Sequence, residues 1–353
     1  MIFHRREIEP RLQRILNEAV SSGRESACGL TVIQDGTVIA DIVAGCFPDG
    51  RPVVASTLFP VFSVGKGIIT SAFLRLVERG VIELDRPVAD YWPEFGTNGK
   101  ENVLVWHILS HRGGLFRLPP CGNIAELADW ELMTRRMAGR KPEGVPGGKC
   151  VYHPLTFAWL LGETAARADG GRTFPEIVRD EVLERVGIAN DCFFGSTPEA
   201  EARFIRLDIS AVTPLESAWY DEFIHNIAIR RGFIPSANGL ATSGAVARHY
   251  AALGGGELIG EELLAEATWL RRAHDDPPGD SWAKFGLGYA LCGPAPDYGR
   301  MFGHGGAAGA EGFYDRESRI ALGFVKNRLL SSHPHHPVRD LISAELGLPP
   351  RIW

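Results

Sequence analysis

The sequence predicts an α+β protein in which an antiparallel sheet is assembled from both ends of the chain and a helical region is inserted between them. Three observations predict this. Residues 28–34 and 37–44 are β-rich runs joined by Asp35-Gly36, the two-residue loop that matches the twist of an antiparallel hairpin. The chain turns β-rich again near its end, at 301–302, 309–314 and 320–325, with a turn at 315–318. Between these ends, apolar residues recur at helical rather than strand spacing. This division expects a sheet region from residues 1–60 and 285–353 and a mostly helical region at 61–284.

Taken in order, Ile8, Leu12, Ile15 and Ala19 predict an N-terminal helix packed on the sheet. After the hairpin, Ile68, Ala72 and Leu76, with Ile69, Phe73 and Val77 one step round, predict a helix apolar on two faces. Such a helix belongs in the core, and Gly80 supplies its stop. Short helical patterns follow at 103–110 and 127–138. The Gly/Pro-rich stretch 142–148 then leads to Tyr152 and a helix over 155–168, with Pro154 near its start. Helices are further expected over 173–186, 243–253, 261–270 and 337–346, the last stopped by Gly347.

At 353 residues and 45% hydrophobic content the chain can bury a large core. A net charge of −6 with interspersed signs argues against nucleic acid or an anionic membrane as partner, and no apolar run reaches the roughly 18 residues of a spanning helix. The N-terminus has no apolar leader segment, so a cytoplasmic protein acting on a small molecule is expected. Six cysteines lack any Cys-x-x-Cys pairing and read as reduced core residues.

Chemistry concentrates at Ser63-Val-Gly-Lys66, at the first turn of the buried helix. Residues three apart share a helix face, so the lysine amine can sit against the hydroxyl, and the helix N-terminus favours a developing oxyanion. This suits an activated nucleophile. Tyr152, presented by the turn-rich loop, is a candidate proton carrier; a Lys66 ammonium beside it is expected to lower its pKa. Gly303-His-Gly-Gly-Ala307 lies between two expected strands, where paired glycines let a backbone N–H join that of Ser63 in an oxyanion hole.

Other features carry less. Ser281-Trp-Ala-Lys284 repeats the Ser-x-x-Lys spacing in a Pro/Gly-rich stretch with no helix start. His333-Pro-His-His336 lacks carboxylate or cysteine partners at ligand spacing, so no metal is expected. His107 and His111 share a helix face but lack the glutamate of a zinc helix, and read as structural hydrogen-bonding residues. No Gly-x-Ser-x-Gly elbow or phosphate-binding glycine motif occurs, and no cofactor is expected.

In order and spacing, the chain resembles the serine β-lactamase and penicillin-binding-protein superfamily, most nearly its class-C-like family VIII carboxylesterase branch. Carrying the resemblance are Phe62-Ser-Val-Gly-Lys66, residues 81–88, Ile108-Leu-Ser-His-Arg-Gly-Gly-Leu115, Tyr152-His-Pro-Leu-Thr156, Pro235-Ser-Ala-Asn-Gly239 and Phe302-Gly-His-Gly-Gly306. It implies a β-lactamase-like fold, acylation of Ser63, acid–base work shared by Lys66 and Tyr152, and oxyanion N–H groups from Ser63 and Ala307. His304 falls where the superfamily usually has the lysine of Lys-Thr-Gly, and His153-Pro154 replaces the x-Asn of Tyr-x-Asn. His304, Gly305, Gly306 and His153 are therefore the expected substrate-binding residues. Both departures weaken recognition of an anionic β-lactam. The expected activity is hydrolysis of a small carboxylic ester through an acyl-Ser63 intermediate. The alternatives are acyl transfer to an amine or alcohol, D-amino-acid peptidase or weak β-lactamase activity, and a non-turnover sensor.

Overall fold

The computed structural model describes residues 2–273, 276, 284–330 and 337–349. Helix α1 (Arg5–Ser21) buries Ile8, Leu12, Leu16 and Ala19 as one stripe. Strands β1 (Ala27–Gln34) and β2 (Thr37–Gly45) meet at Asp35 and Gly36, both at positive φ (50° and 74°), the geometry of a type I′ hairpin. The short strand β3 (Phe59–Pro60) feeds α2 (Val64–Glu78), almost wholly buried and ended by Gly80 at φ 70°. Next come α3 (Val105–Leu109), α4 (Trp130–Gly139), α5 (Thr156–Asp169) and α6 (Phe174–Val178). Where one helix is expected over 173–186, α6 widens into a π-helical turn, Arg179–Leu183, in which Glu181 turns inward to pair with Arg75, Arg79 and Arg172.

The segment between 187 and 241 is more structured than the sequence suggests. It holds β4 (Cys192–Phe194), α7 (Pro198–Arg203), β5 (Asp208–Ala211), α8 (Pro214–His225), α9 (Ile227–Arg231) and β6 (Gly239–Ala241). Helix α8 buries only Phe223 and Ile224 and leaves Leu215 and Trp219 exposed, so it shows no clean apolar stripe. Its start is nonetheless encoded: Thr213 and Glu216 form a capping box around Pro214 at the first helical position.

Helices α10 (Ser243–Gly254) and α11 (Glu261–Ala267) precede the C-terminal strands β7 (Ala290–Leu291), β8 (Met301–Gly305), β9 (Glu311–Asp315), β10 (Ile320–Lys326) and β11 (Arg328–Leu330), and α12 (Pro337–Glu345) closes the described chain. The main sheet is antiparallel in the order β2-β1-β10-β9-β8-β7. Its two halves join where β1 pairs with β10, from Cys28↔Lys326 to Gln34↔Ile320.

Helix α10 lies on one face of this sheet, where the Thr31 and Ser243 hydroxyls hydrogen-bond at 2.9 Å. On the other face Leu30, Val32 and Phe324 pack with Ile8 and Leu12 of α1 and Val338 and Ile342 of α12. Near the β1–β10 junction a fully buried Lys326–Glu25 ion pair closes at 2.9 Å. β3, β4 and β6 form a separate three-stranded sheet, and α2 packs across β8. The Ser-x-x-Lys and histidine motifs at 281–284 and 333–336 lie, apart from Lys284, outside the described residues. Cys28, Cys192 and Cys292 are buried as expected; Cys46 and Cys121 are instead exposed and Cys150 half-buried, and none of the six is in a disulfide. Among the described residues no helix is long and apolar enough to cross a membrane.

Candidate active site

β3 delivers the chain to α2 through Phe62, a non-glycine residue at φ 48°. Such a residue persists only where its surroundings over-determine it, and such positions concentrate at active sites. Ser63 follows at the N-cap, in helical rather than extended geometry (φ −68°, ψ −6°), with no side-chain capping bond. An ordinary N-cap serine would spend its oxygen on the helix N–H groups. Here the hydroxyl lies 2.9 Å from Lys66 Nζ and 3.3 Å from the carbonyl oxygen of Ser236.

Lys66 is completely buried, and its amine also donates to Ser236 O at 2.8 Å. Desolvation holds its pKa well below the ordinary lysine value, and no ion pair offsets this among the described residues. A side chain at Gly65 would overlap the carbonyl oxygen of Pro235 and the Phe194 ring. Glycine there is what lets the 235–236 backbone close over Lys66.

Tyr152 sits with its ring centroid 5.0 Å from Lys66 Nζ, stacked on Phe285 at 5.6 Å. Its pKa moves opposite to the sequence expectation. Burial pushes the phenol up, and the hydrogen bond to Ser63 opposes this only weakly. The expectation assumed a Lys66 ammonium, whereas burial disfavours the charged form of both groups. Burial thus favours the uncharged form of the amine and of the phenol. Lys66 can take the Ser63 proton, and Tyr152 can supply one.

The β8–β9 loop completes the site. A side chain at Gly306 would strike the Val61 carbonyl, so this loop runs backbone against backbone with the residues just before Ser63. Ala307 occupies the exposed turn, held by Gly306 N–H to Ala310 O at 2.7 Å and Gly309 N–H to Gly306 O at 2.8 Å. Neither the Ser63 nor the Ala307 N–H has a backbone acceptor among the described residues, which leaves both able to donate to an oxyanion. His304, on β8, is buried with its ring 5.9 Å from that of Tyr152. Its Nδ1 faces Gly305 O at 2.8 Å and so carries the hydrogen, leaving Nε2 as a bare acceptor with no partner. Burial first, then Lys66, lowers its pKa to about 3.

His153 departs from its expected substrate-binding place. It has no exposure, and both ring nitrogens are engaged by backbone: Nδ1 with Val151 O at 2.7 Å and Nε2 with the Leu115 N–H at 3.2 Å. Its ring holds the Tyr152 loop from inside. Sequence reasoning noted the Pro235–Gly239 motif but missed Ser236, because its contribution is a carbonyl that no side-chain pattern reports. Asn238 fixes that turn, accepting from the Ile234 N–H at 3.2 Å and donating to Ile229 O and Gly232 O at 2.7 Å each. Tyr220 on α8 was missed too; its ring meets Phe62 edge-on at 6.0 Å.

Residues 12–347 match the family model described as Beta-lactamase. The chain belongs to the beta-lactamase family. It is similar to the esterase/beta-lactamase LipL of Mycobacterium tuberculosis (strain ATCC 25618 / H37Rv), with 33% identity over 337 residues, 86% of this chain and 77% of the relative. Among solved structures it is similar to a family VIII carboxylesterase (25% identity, 96% of each chain, TM-score 0.84). It is also similar to a penicillin-binding protein homologue from Caulobacter crescentus (27% identity, 96% and 97% of the two chains, TM-score 0.82). The expected β-lactamase-like fold, an antiparallel sheet with flanking helices, is the observed one. This beta-lactamase-family chain is an esterase/beta-lactamase-like serine hydrolase.

Proposed function

We propose that the chain hydrolyses small, uncharged carboxylic esters through an acyl-Ser63 intermediate. The observation that carries the proposal is the fully buried Lys66 amine, 2.9 Å from Ser63 Oγ and short of any counter-charge among the described residues. As a neutral base Lys66 accepts the Ser63 proton while Oγ bonds to the ester carbonyl carbon. The resulting oxyanion is met by the N–H groups of Ser63 and Ala307. Collapse of this intermediate breaks the acyl–oxygen bond, and the departing alkoxide takes a proton from Tyr152, which Lys66 replenishes. A water then attacks the acyl carbon, its proton passes to the Lys66–Tyr152 pair, and the acid leaves as Ser63 Oγ is reprotonated.

His304 supports the preference for an uncharged substrate. Neutral at physiological pH, it offers a carboxylate no cation to pair with. The test is initial-rate cleavage of p-nitrophenyl butyrate by wild type and Ser63→Ala, beside a chromogenic cephalosporin and with added alcohols and amines. Ester turnover lost in Ser63→Ala, with free acid as the product, is expected. Undiminished turnover in Ser63→Ala refutes the proposal, and acyl products formed with the added alcohol or amine would reassign the chain as a transferase.

A further inference from the structure

The loop that carries Tyr152 is templated almost entirely by one short segment. The carbonyl of His111 accepts the Val151 N–H at 2.9 Å, and His111 Nδ1 accepts the His153 N–H at 3.2 Å, so both chain neighbours of Tyr152 are tied to a single residue. The same ring packs edge-on to Tyr152 at 4.8 Å and to Phe285 at 4.4 Å. His111 has φ 58°, unusual for a residue with a side chain, and it is completely buried with Nε2 unpartnered. A strained backbone and an orphaned buried nitrogen are a cost that helix α3 does not need in order to end.

The next residue extends the template. Arg112, buried against Asp276, bonds it through Nη1 and Nη2 at 2.9 and 2.6 Å and donates to Gly148 O at 2.6 Å; Asp276 Oδ1 accepts the Cys150 N–H at 3.3 Å.

We infer that His111 is a positioning residue for Tyr152: its carbonyl and Nδ1 hold residues 151 and 153 so that the phenol stays aligned on Ser63 and Lys66. The inference rests on the acyl-enzyme reading above. Because Nδ1 must accept, His111 is the Nε2–H tautomer, and the side chain that imitates it is asparagine, which places an acceptor at the Nδ1 position and tolerates positive φ. Glutamine is similar in size to the ring but carries its oxygen one bond too far out.

The experiment compares His111→Asn, His111→Gln and His111→Gly with p-nitrophenyl butyrate, in wild-type and Tyr152→Phe backgrounds. His111→Asn is expected to keep kcat within about threefold of wild type, while His111→Gln and His111→Gly lose about 10- to 100-fold in kcat with KM nearly unchanged. In the Tyr152→Phe background the same substitutions should cost less than about threefold, since the group they misplace is already gone. Should His111→Gly fail to fold, the Asn–Gln comparison stands by itself. Equal kcat in His111→Asn and His111→Gln, or losses that add fully to those of an impaired Tyr152→Phe, overturns the inference alone. A Tyr152→Phe enzyme as active as wild type overturns the acyl-enzyme role of Tyr152 and the inference with it.

Discussion

Gly65→Ala isolates how the site is closed. A methyl group at residue 65 would lie 2.7 Å from Phe194 Cε1 and closer still to the Pro235 carbonyl oxygen. Ordinary contact lies near 3.4 Å, so the 235–236 backbone must retreat by about 1 Å, a displacement large enough to cost roughly 100-fold in rate. That backbone carries the Ser236 carbonyl, which holds Lys66 Nζ at 2.8 Å and lies 3.3 Å from Ser63 Oγ. Loosening it leaves the amine free to turn away from the hydroxyl.

The overpacking itself should destabilise the fold by about 1–3 kcal/mol. Gly80→Ala is the control. It forces a side chain to φ 70° where nothing lies within 4 Å, and so costs about 1 kcal/mol of helix-end strain without touching the site. Steady-state kcat with p-nitrophenyl butyrate and thermal unfolding should be measured on both variants. Gly65→Ala is expected to lose kcat far beyond Gly80→Ala at comparable Tm. A kcat for Gly65→Ala within threefold of wild type would show that the Ser236 carbonyl does not orient Lys66.

Two further predictions concern charge. A buried lysine with a depressed folded pKa binds fewer protons than in the unfolded chain, so it destabilises the fold below its unfolded pKa of about 10.4 and relief comes only as pH rises towards that value. Lys66→Met should therefore abolish turnover at pH 7 yet raise stability by about 1–2 kcal/mol, seen as a higher Tm; a lower Tm refutes the buried neutral amine. In a pH profile, kcat/KM should rise as Lys66 deprotonates, hold through mildly alkaline pH, and fall only as Tyr152 ionises above its ordinary range. His304, held to about 3, should contribute no limb between pH 5 and 8, so a limb in that range that disappears in His304→Gln contradicts its neutral assignment.

Much of the architecture is legible in local chemistry. Asp35-Gly36 can adopt two consecutive positive φ angles, the 68–77 periodicity demands burial on two faces, and Gly80 marks a left-handed stop. The stretch around α8 is not legible by periodicity, because that helix leaves Leu215 and Trp219 exposed and its apolar residues form no stripe. Only its start is written locally, in the capping box Thr213-Pro-Leu-Glu216. His153 misled because a histidine beside a catalytic candidate resembles a ligand group, whereas its nitrogens are consumed by Val151 O, two residues back, and by the Leu115 N–H, 38 residues away.

By itself the sequence determined the parts of the site: a hydroxyl and an amine one helical turn apart, a tyrosine at the end of a turn-rich loop, and glycines where strands must run close. These are properties of covalent spacing and backbone permission, which neighbouring residues settle locally. Tertiary structure alone decided the direction in which the pKa values of Lys66 and Tyr152 move, because desolvation depends on what encloses a group rather than on what precedes it in the chain. It likewise decided that a Ser236 carbonyl, 170 residues from Lys66, would anchor the amine, and that His111 would brace the phenol. Backbone groups are the same at every position, and only folding gives one of them a buried amine as its neighbour.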